Sequence, residues 1–272
     1  MRLWPIAMGR GIGTKGGCLK QFNTNEIQET KIKILIYGKS GVGKTSSVLS
    51  LKPETTLIIS DESGLLALAG KSFDVWRVDN WDDLHKIYAD LLKPENQTKY
   101  KTIMLDSLTE LNEMCKDQIV KKDRPEKGIN PGKVYDEMMT MADYGLLQTR
   151  MMRFIRSFRD LPYHVIMTCL EDSQKDETTG ATQITPSLNG KLASNVSAYF
   201  DEVFWMITKE EDQQIVRYFV TGKVPKALAK DRSGSLELYE PANLSVIFKK
   251  ILSVFKKADK KNKEGKNESP VA

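Results

Sequence analysis

The segment GKSGVGKT, from Gly38 to Thr45, constrains this chain more than any other feature of its sequence. It fits the pattern G-x-x-x-x-G-K-[ST] at every position, between an apolar run that predicts a strand and a run that predicts a helix. The glycines let the backbone turn tightly, so that successive N–H groups point inward, and the helix adds the positive end of its dipole. Such a turn binds anionic oxygens, which makes a phosphate its expected ligand.

The residues of this P-loop predict a site for ATP and Mg²⁺. Lys44 is expected to reach the β and γ phosphates, and the hydroxyl of Thr45 is expected to ligate Mg²⁺. The alternative is a glycine loop with a purely structural role. The predicted nucleotide contacts come from Gly38, Lys39, Ser40, Gly41, Val42, Gly43, Lys44, Thr45 and Ser46.

Acidic residues after two later strands complete the predicted site. Asp106 ends the apolar segment IMLD and is expected to hold the metal, the alternative being a cap on the helix that follows. No Glu follows Asp106, so the carboxylate that activates the attacking water has to come from another strand. Glu62, in the segment IISDES, is the predicted catalytic base, with Asp61 as a second candidate and helix capping as the alternative role.

Apolar strand-like segments alternate with amphipathic helix-like segments downstream of residue 31. Because these strands are apolar throughout, the pattern predicts an α/β fold whose mostly parallel central sheet carries helices on both faces. Two late segments predict hairpin-like strands. The strand-like segments are KIKILIYG, TLIIS, DVWRV, YKTIMLDS and HVIMTCL, and the hairpin-like ones are YFDEVFWMIT and QIVRYFVTG.

Changes in composition along the chain predict four regions. Residues 1–30 include five glycines within GRGIGTKGG and predict a flexible leader, and residues 31–241 predict the ATPase core. Residues 242–258 predict a basic amphipathic helix that packs on the core, the alternatives being docking to DNA or to a partner and binding to a membrane surface. Residues 259–272 predict a disordered basic tail.

The distribution of charge and of special residues excludes several classes of protein. The last 24 residues contain eight Lys and three acidic residues, and so carry the whole net charge of +5, which argues against a uniformly basic nucleic-acid protein. Three cysteines and two histidines are too few for a disulfide framework or a histidine-built metal centre. No apolar run reaches the roughly 18 residues of a membrane span, and no secretory signal is visible. The predicted location is the cytoplasm.

Taken together, these motifs resemble the RecA superfamily of P-loop ATPases. The carboxylate after the second strand and LDSLTEL around Asp106 look like the RecA core, and HVIMTC looks like its sensor strand. The segment AKDRSG resembles a Lys-Asn-Arg-Phe-Gly motif, from which Asp231 and Ser233 depart. The resemblance covers about residues 31–235. A RecA-like core with short ends is similar to phage core-only proteins of the Sak type, which are implicated in single-strand annealing and recombination.

The resemblance implies that two segments bind single-stranded DNA. The first spans residues 121–133 and the second residues 171–191, whose acidic first half argues against phosphate contact. The alternative is that both are solvated charged loops. Neither contains an aromatic stacking platform, so the DNA assignment depends on the resemblance. The expected DNA-binding residues are Lys121, Lys122, Arg124, Lys127, Lys133 and Lys191.

The resemblance also implies a homo-oligomer, a ring or a filament, with ATP between protomers. Lys230 and Arg232 are expected to act on the γ phosphate of a neighbouring protomer, the alternative being a solvated pair at a turn. Thr168 is a candidate sensor of the γ phosphate, or else a buried threonine bonded to backbone. A single-strand-binding protein is an expected further partner, and no membrane is expected.

The predicted function is hydrolysis of ATP to ADP and phosphate, stimulated by single-stranded DNA and used for annealing and homologous recombination. A phage origin would place the protein in the host cytoplasm. One alternative is a RecA-fold ATPase that acts as a regulator or loader through protein partners. Another is a P-loop kinase for a small molecule, although no clear arginine-rich lid is present in the sequence.

Overall fold

The fold is seen in a computed structural model, which describes residues 31–61, 64–123, 138–175, 180 and 182–264. Within these residues, ten strands form one sheet in the order β10-β8-β7-β1-β5-β4-β2-β3, with β6 paired to β5 and β9 to β7. The strands are β1 (Lys33–Gly38), β2 (Thr56–Ser60), β3 (Asp74–Arg77), β4 (Thr102–Asp106), β5 (His164–Lys175), β6 (Thr182–Pro186), β7 (Glu202–Glu211), β8 (Gln214–Val220), β9 (Lys230–Asp231) and β10 (Tyr239–Pro241).

The central strands are parallel, as their apolar sequences predict. β1 pairs in parallel with β5 and β7, β4 pairs with β5 and β2, and β2 pairs with β3. The pairs β7–β8, β8–β10, β5–β6 and β7–β9 are antiparallel. The carboxyl ends of β1, β2, β4 and β5 therefore meet at one edge of the sheet, where sites of α/β proteins form.

Helices cover both faces of the sheet, so the predicted fold class is confirmed. One core lies between the sheet and α1, α3 and α4, and the other lies under α6, which contributes Leu244, Ile247 and Ile251. The α-helices are α1 (Asp83–Leu91), α2 (Pro94–Lys99), α3 (Leu108–Gln118), α4 (Met141–Arg159), α5 (Lys191–Asn195) and α6 (Leu244–Glu264).

The helix expected after the P-loop is a short 3₁₀ helix, Thr45–Ser50. Its serines compete with regular helical hydrogen bonds, because Ser47 Oγ donates to Lys44 O over 2.6 Å and Ser50 Oγ donates to Ser47 O over 2.8 Å. Six residues of 3₁₀ helix provide a smaller dipole than the α-helix assumed from the sequence.

The basic helix at the end of the core packs on the sheet, as expected. Its first backbone N–H, at Leu244, donates to Ser50 Oγ over 2.9 Å, which ties it to the helix after the P-loop. Lys250 pairs over 2.6 Å with Glu240, a carboxylate that is 1% exposed. The helix continues to Glu264, beyond the predicted end at residue 258 and into the segment predicted to be disordered. None of the helices in the described ranges has the length and apolar character needed to cross a bilayer.

Candidate functional site

The P-loop turns sharply where β1 ends, and two of its glycines are required by geometry. Gly43 has φ +106°, and a Cβ there would lie 2.6 Å from Arg217 Nε. A Cβ on Gly38 would lie 2.6 Å from the carbonyl oxygen of Met206 in β7. A side chain at either position would therefore displace backbone or the arginine, which agrees with the role that the sequence predicts for these glycines.

Lys44 is held inside the loop and is 8% exposed. Its ammonium donates to Gly38 O over 2.9 Å and to Lys39 O over 2.8 Å. Burial lowers the pKa of Lys44, while the charge of Asp106 opposes that shift. Two of its three N–H groups are used by the loop, so the ammonium lies at the P-loop with a donor still available to a phosphate.

The two predicted metal ligands lie in direct contact. Thr45 Oγ1 donates to Asp106 Oδ2 over 2.5 Å, across 61 positions of sequence. Gly64 lies against the pair, since a Cβ on it would be 3.3 Å from Thr45 Oγ1 and 3.8 Å from Asp106 Oδ2. A hydroxyl and a carboxylate are hard oxygen donors, which fit Mg²⁺.

The sparse donor set around Asp106 fits a metal that is shared with phosphates. In the described ranges, no group of three or more His, Cys, Asp or Glu is placed to hold a metal ion. Mg²⁺ commonly binds one or two protein oxygens and completes its shell with water and phosphate oxygens. The role that the sequence left open for Asp106, a helix cap, belongs instead to Ser107, whose hydroxyl accepts from Glu110 N over 3.5 Å.

Thr168 lies on β5, the strand between those that carry the P-loop and Asp106. Its hydroxyl is fully buried and donates to Asp106 Oδ1, with a longer contact of 3.5 Å to Leu105 O. Asp106 thus accepts one hydrogen bond on each carboxylate oxygen, from Thr45 and from Thr168. This arrangement makes Thr168 a residue that orients Asp106.

Glu62, the predicted catalytic base, lies outside the described residues, so its role stays a prediction. The strand before it is placed as expected. Ser60, the last residue of β2, pairs with Asp106 at the end of β4, and Asp61 follows at this edge of the sheet. The described residues on either side of position 62 thus lie beside the Thr45–Asp106 pair.

Arg217 on β8 is a residue of the site that the sequence did not reveal. Its Nε donates to Val42 O over 3.0 Å, and its Nε and Cδ lie close to Gly43, within 2.6 and 2.8 Å of where a Cβ would be. The contact spans 175 positions and depends on β8 pairing with β7, which itself lies beside β1. No local sequence motif surrounds Arg217, so its place in the site can be recognised only from the pairing of these strands.

Lys230 and Arg232 lie close to each other and far from the P-loop of the same chain. Lys230 pairs with Val203 near the start of β7, at the edge of the sheet opposite the P-loop. Its ammonium donates to Ser197 O and Phe200 O over 2.6 and 2.5 Å, and burial lowers its pKa. Arg232 is ion-paired with Asp201 over 2.9 Å. Either side chain could act on a nucleotide only if that nucleotide belonged to another protomer.

The predicted DNA-binding residues fall partly outside the described ranges. Lys121 pairs with Asp117 over 2.7 Å and Lys122 with Asp82 over 3.4 Å, so both charges are partly neutralised. Lys191 begins α5 and is exposed. Arg124, Lys127 and Lys133 lie in residues that the structure does not describe.

The second predicted DNA-binding segment, residues 171–191, is not simply a loop. β5 continues to Lys175 and pairs with β6, in register from Glu171↔Pro186 to Lys175↔Thr182. The described part of this segment therefore includes two paired strands, and its role in binding DNA stays a prediction. The sequence of this segment is polar, so no apolar pattern predicts its strands. The two strands are hydrogen-bonded to each other through their backbones.

Comparison with known proteins identifies the family but no curated relative. Nothing among curated proteins matches the chain. One similar solved structure is an ATPase from the type III secretion system of pathogenic bacteria, with 15% identity, a TM-score of 0.44, and coverage of 65% of this chain and 51% of that one. Another is the KaiC-like protein PH0186 from Pyrococcus horikoshii OT3, with 15% identity, a TM-score of 0.36, and coverage of 70% and 77%.

The family match is longer and starts just before β1. It takes in the P-loop, the strand that ends in Asp106, and the turn that carries Lys230 and Arg232. Residues 30–233 match the model for the AAA domain family AAA_24, which is well over half of the chain. The chain therefore belongs to the AAA_24 family of AAA domains and is a P-loop ATPase domain.

Proposed function

We propose that this protein hydrolyses ATP to ADP and phosphate, and that it uses the cycle to bind and anneal single-stranded DNA in homologous recombination, in the manner of a RecA-like ATPase. The observation that carries the ATPase part is the contact of Thr45 with Asp106 beside the buried ammonium of Lys44. These groups stand where a P-loop requires its metal ligands and its phosphate-binding cation.

Each residue of the site is proposed to have a separate role in hydrolysis. Lys44 binds the β and γ phosphate oxygens, while the amides of the loop hold the rest of the triphosphate. Thr45 and Asp106 would hold Mg²⁺, which supplies positive charge to the phosphate oxygens. Thr168 fixes the orientation of Asp106. Glu62 is proposed to orient the attacking water and take its proton.

The DNA-binding part of the proposal is supported by how the two candidate segments connect to the site. Asn112 on α3 donates to Asn189 Oδ1 over 2.6 Å, which joins the helix leading to Lys121 to the turn preceding Lys191. Thr109, also on α3, accepts a hydrogen bond from Leu170 N over 3.0 Å. The first segment is connected through α3 to β4, which ends in Asp106, and the second begins within β5, which carries Thr168. A change at Asp106 or Thr168 therefore has a short path to them.

Assembly around ATP is proposed from the position of Lys230 and Arg232. They lie at the edge of the sheet opposite the P-loop, where they have no access to a nucleotide in their own protomer. A ring or filament that places this edge against the P-loop of the next protomer would give them a phosphate to stabilise. A single-strand-binding protein as partner, a Sak-type specificity and a phage origin are parts of the same proposal.

A regulator or loader that contacts protein is the second candidate. It is favoured by the ion pairs of Lys121 with Asp117 and of Lys122 with Asp82, which reduce the net charge offered to a phosphate backbone. The region outside the last 24 residues has no net charge, which favours the same reading.

The test is ATP hydrolysis with and without oligothymidine, at low and at high salt. We expect release of ADP and free phosphate, a DNA-stimulated rate at low salt, and no turnover in Lys44→Ala. The double variant Lys121→Glu, Lys122→Glu should lose the stimulation, whereas Lys86→Glu, on the exposed side of α1, should keep it. A rate of ATP hydrolysis that is the same with and without DNA at low salt would favour the regulator. Transfer of phosphate to a small molecule would indicate a kinase.

A further inference from the structure

A cavity lies at the edge of the sheet opposite the P-loop. It has a volume of about 450 Å³ and opens beside the start of β1, the turn after α4, and the segment around Tyr199. Lys33, on its wall, lies five strand positions from Gly38, which is about 17 Å along β1. This basic cavity is therefore separate from the nucleotide site of the same chain. Its charged lining residues are Lys31, Lys33, Arg159, Arg232, Asp160 and Asp201.

The acidic residues of the basic cavity already have partners. Asp160 pairs with Arg159 over 2.7 Å, and Asp201 pairs with Arg232 over 2.9 Å and accepts from the backbone N–H of Lys33 over 3.1 Å. Across the described part of the chain, Lys31 and Lys33 take part in no ion pair. Four cations against two paired carboxylates leave the cavity with an excess of positive charge.

Lys33 is a largely buried cation in the wall of this cavity. Its ammonium donates to Leu161 O over 2.9 Å and to Tyr163 O over 2.6 Å, which are neutral acceptors. Burial lowers the pKa of Lys33 to about 8, although the charges of Asp201 and Asp160 oppose that shift more than Lys31 and Arg159 add to it. An anion in the cavity would offset the loss of hydration and raise the pKa of Lys33 towards its ordinary value.

Tyr199 gives the basic cavity an aromatic wall. Arg156 holds this ring, with its guanidinium 4.9 Å from the ring centroid and an N–H donated to Tyr199 Oη over 3.2 Å. The ring is therefore fixed in place before any ligand arrives. Fixed aromatic rings next to cations are the elements with which proteins bind the base and the phosphate of a nucleotide.

We propose that the basic cavity binds a nucleoside monophosphate, with its phosphate on Lys31 and Lys33 and its base against Tyr199. This chemistry has two sources, a free nucleotide and the 5′-phosphorylated end of a strand. Only the second source rests on the proposed DNA function, and the volume of the cavity suits a single nucleotide rather than a length of strand.

The direct test is calorimetric titration of thymidine monophosphate at low salt. This nucleotide lacks the β and γ phosphates that a P-loop binds, so it reports on the basic cavity. We expect saturable binding that weakens at least tenfold in Lys31→Glu and is unchanged in Lys86→Glu, which makes the same charge change on α1. Proton uptake should accompany binding at pH 8, because the ligand raises the pKa of Lys33.

Two substitutions of Tyr199 test the proposed contact between this ring and the base. Tyr199→Phe keeps the ring and should keep the preference for thymidine monophosphate over inorganic phosphate, whereas Tyr199→Ala should lose that preference while still binding inorganic phosphate. Circular dichroism and the melting temperature of each variant confirm that it is folded. Equal affinity of the wild-type protein for both ligands would overturn the base contact.

Oligothymidines with and without a 5′ phosphate separate the two sources. If the strand end is the ligand, the phosphorylated form binds more tightly and the difference disappears in Lys31→Glu. If the free nucleotide is the ligand, thymidine monophosphate binds and neither oligothymidine displaces it. The titration with thymidine monophosphate contains no DNA, so failure of the DNA proposal leaves its outcome unchanged and is distinguishable. No saturable binding by the wild-type protein, or equal weakening by Lys86→Glu, would overturn the proposal.

Discussion

Arg217 Nε donates a hydrogen bond to the carbonyl oxygen of Val42 over 3.0 Å, so a residue of β8 holds the P-loop from outside. The bond is charge-assisted because its donor is a guanidinium. It fixes the carbonyl of Val42, which directly precedes Gly43 with its φ of +106°. Since the loop amides bind phosphate only in one backbone conformation, we infer that Arg217 preorganises the P-loop.

Substitution of Arg217 should therefore weaken binding of ATP without unfolding the protein. We expect Arg217→Ala to raise KM for ATP about fivefold to tenfold, equivalent to about 1–1.4 kcal/mol, because an exposed charge-assisted hydrogen bond is worth about that much. Arg217→Gln, which retains a donor but no charge, should lie between. Steady-state kinetics and thermal melting measure the two effects, and an unchanged KM in Arg217→Ala would contradict the role.

Thr168 offers a substitution that changes one hydrogen bond and almost no volume. Thr168→Val removes the donor to Asp106 Oδ1, leaving that oxygen free to turn away from the metal position. We expect a higher Mg²⁺ concentration for half-maximal activity and a kcat lowered about tenfold, as for loss of a charge-assisted bond of about 1.4 kcal/mol. Thr168→Ser should restore both values. Equal loss in the Ser and Val variants would indicate that packing, not the hydroxyl, matters.

His164 makes stability depend on pH at the acidic end. Its Nδ1 accepts from Ile32 N over 3.0 Å and its ring lies 4.9 Å from that of Phe248. Burial, with the charges of Lys31 and Lys33, lowers the pKa of His164 to about 4. Between this value and the unfolded value of about 6.5 the unfolded chain binds the extra proton, so stability is complete above that window and declines as pH falls through it.

The loss for His164 should reach about 3 kcal/mol, an upper value that solvent screening reduces. Urea unfolding at pH 7 and pH 4.5 measures it. His164→Asn keeps an acceptor near Nδ1 and cannot be protonated, so the difference in unfolding free energy between the two pH values should shrink. A variant with the same acid sensitivity as the wild-type protein would assign that sensitivity to other groups.

Glu202 has the opposite effect at the alkaline end. The residue is 1% exposed, and burial, followed by the charge of Asp231, raises the pKa of Glu202 to about 8. Its Oε1 accepts from Ser233 N over 3.3 Å, whereas its buried Oε2 has no hydrogen-bond partner, and an interaction with the neighbouring Asp231 favours the protonated form of Glu202. The folded state holds a proton that the unfolded state loses above about pH 4.5, so this contribution to stability is lost as pH rises through pH 8.

Glu202→Gln tests the shared proton, because the amide donates to Asp231 at any pH. We expect the variant to have a melting temperature that falls less than that of the wild-type protein between pH 6 and pH 8.5. Asp231 also accepts from Gly234 N over 2.9 Å and Leu236 N over 3.0 Å, so the turn that carries Arg232 should loosen with the same pH dependence in the wild-type protein. Identical pH profiles for both proteins would refute the shared proton.

The parts of the site that sequence could predict are those made by residues close together in the chain. The P-loop is recognisable from a motif of eight consecutive residues, and Asp106 is recognisable from the apolar strand that precedes it. Their meeting follows from the rule that parallel strands present their carboxyl ends at one edge. The fold class follows in the same way from alternating apolar and amphipathic segments.

The parts that sequence could not predict depend on distant contacts or on competing hydrogen bonds. Arg217 reaches Val42 only through the pairing of β8 with β7. Serine side chains turned the expected α-helix after the P-loop into a 3₁₀ helix. The polar β5–β6 hairpin resembles a loop in composition because its order comes from backbone pairing. The hydrogen bonds of the Lys230 ammonium to Ser197 O and Phe200 O likewise join residues 33 and 30 positions apart.

Calorimetric titration of Mg·ATP is the most direct test of the central claim, that the loop from Gly38 to Thr45 and the carboxylate of Asp106 form one nucleotide site. The account predicts saturable binding of one nucleotide per chain, tighter with Mg²⁺ than without it. Asp106→Asn should abolish that dependence on Mg²⁺ and Lys44→Ala should abolish tight binding, with both variants folded. Absence of binding heat in the wild-type protein, or the same Mg²⁺ dependence in Asp106→Asn as in the wild-type protein, would contradict the account.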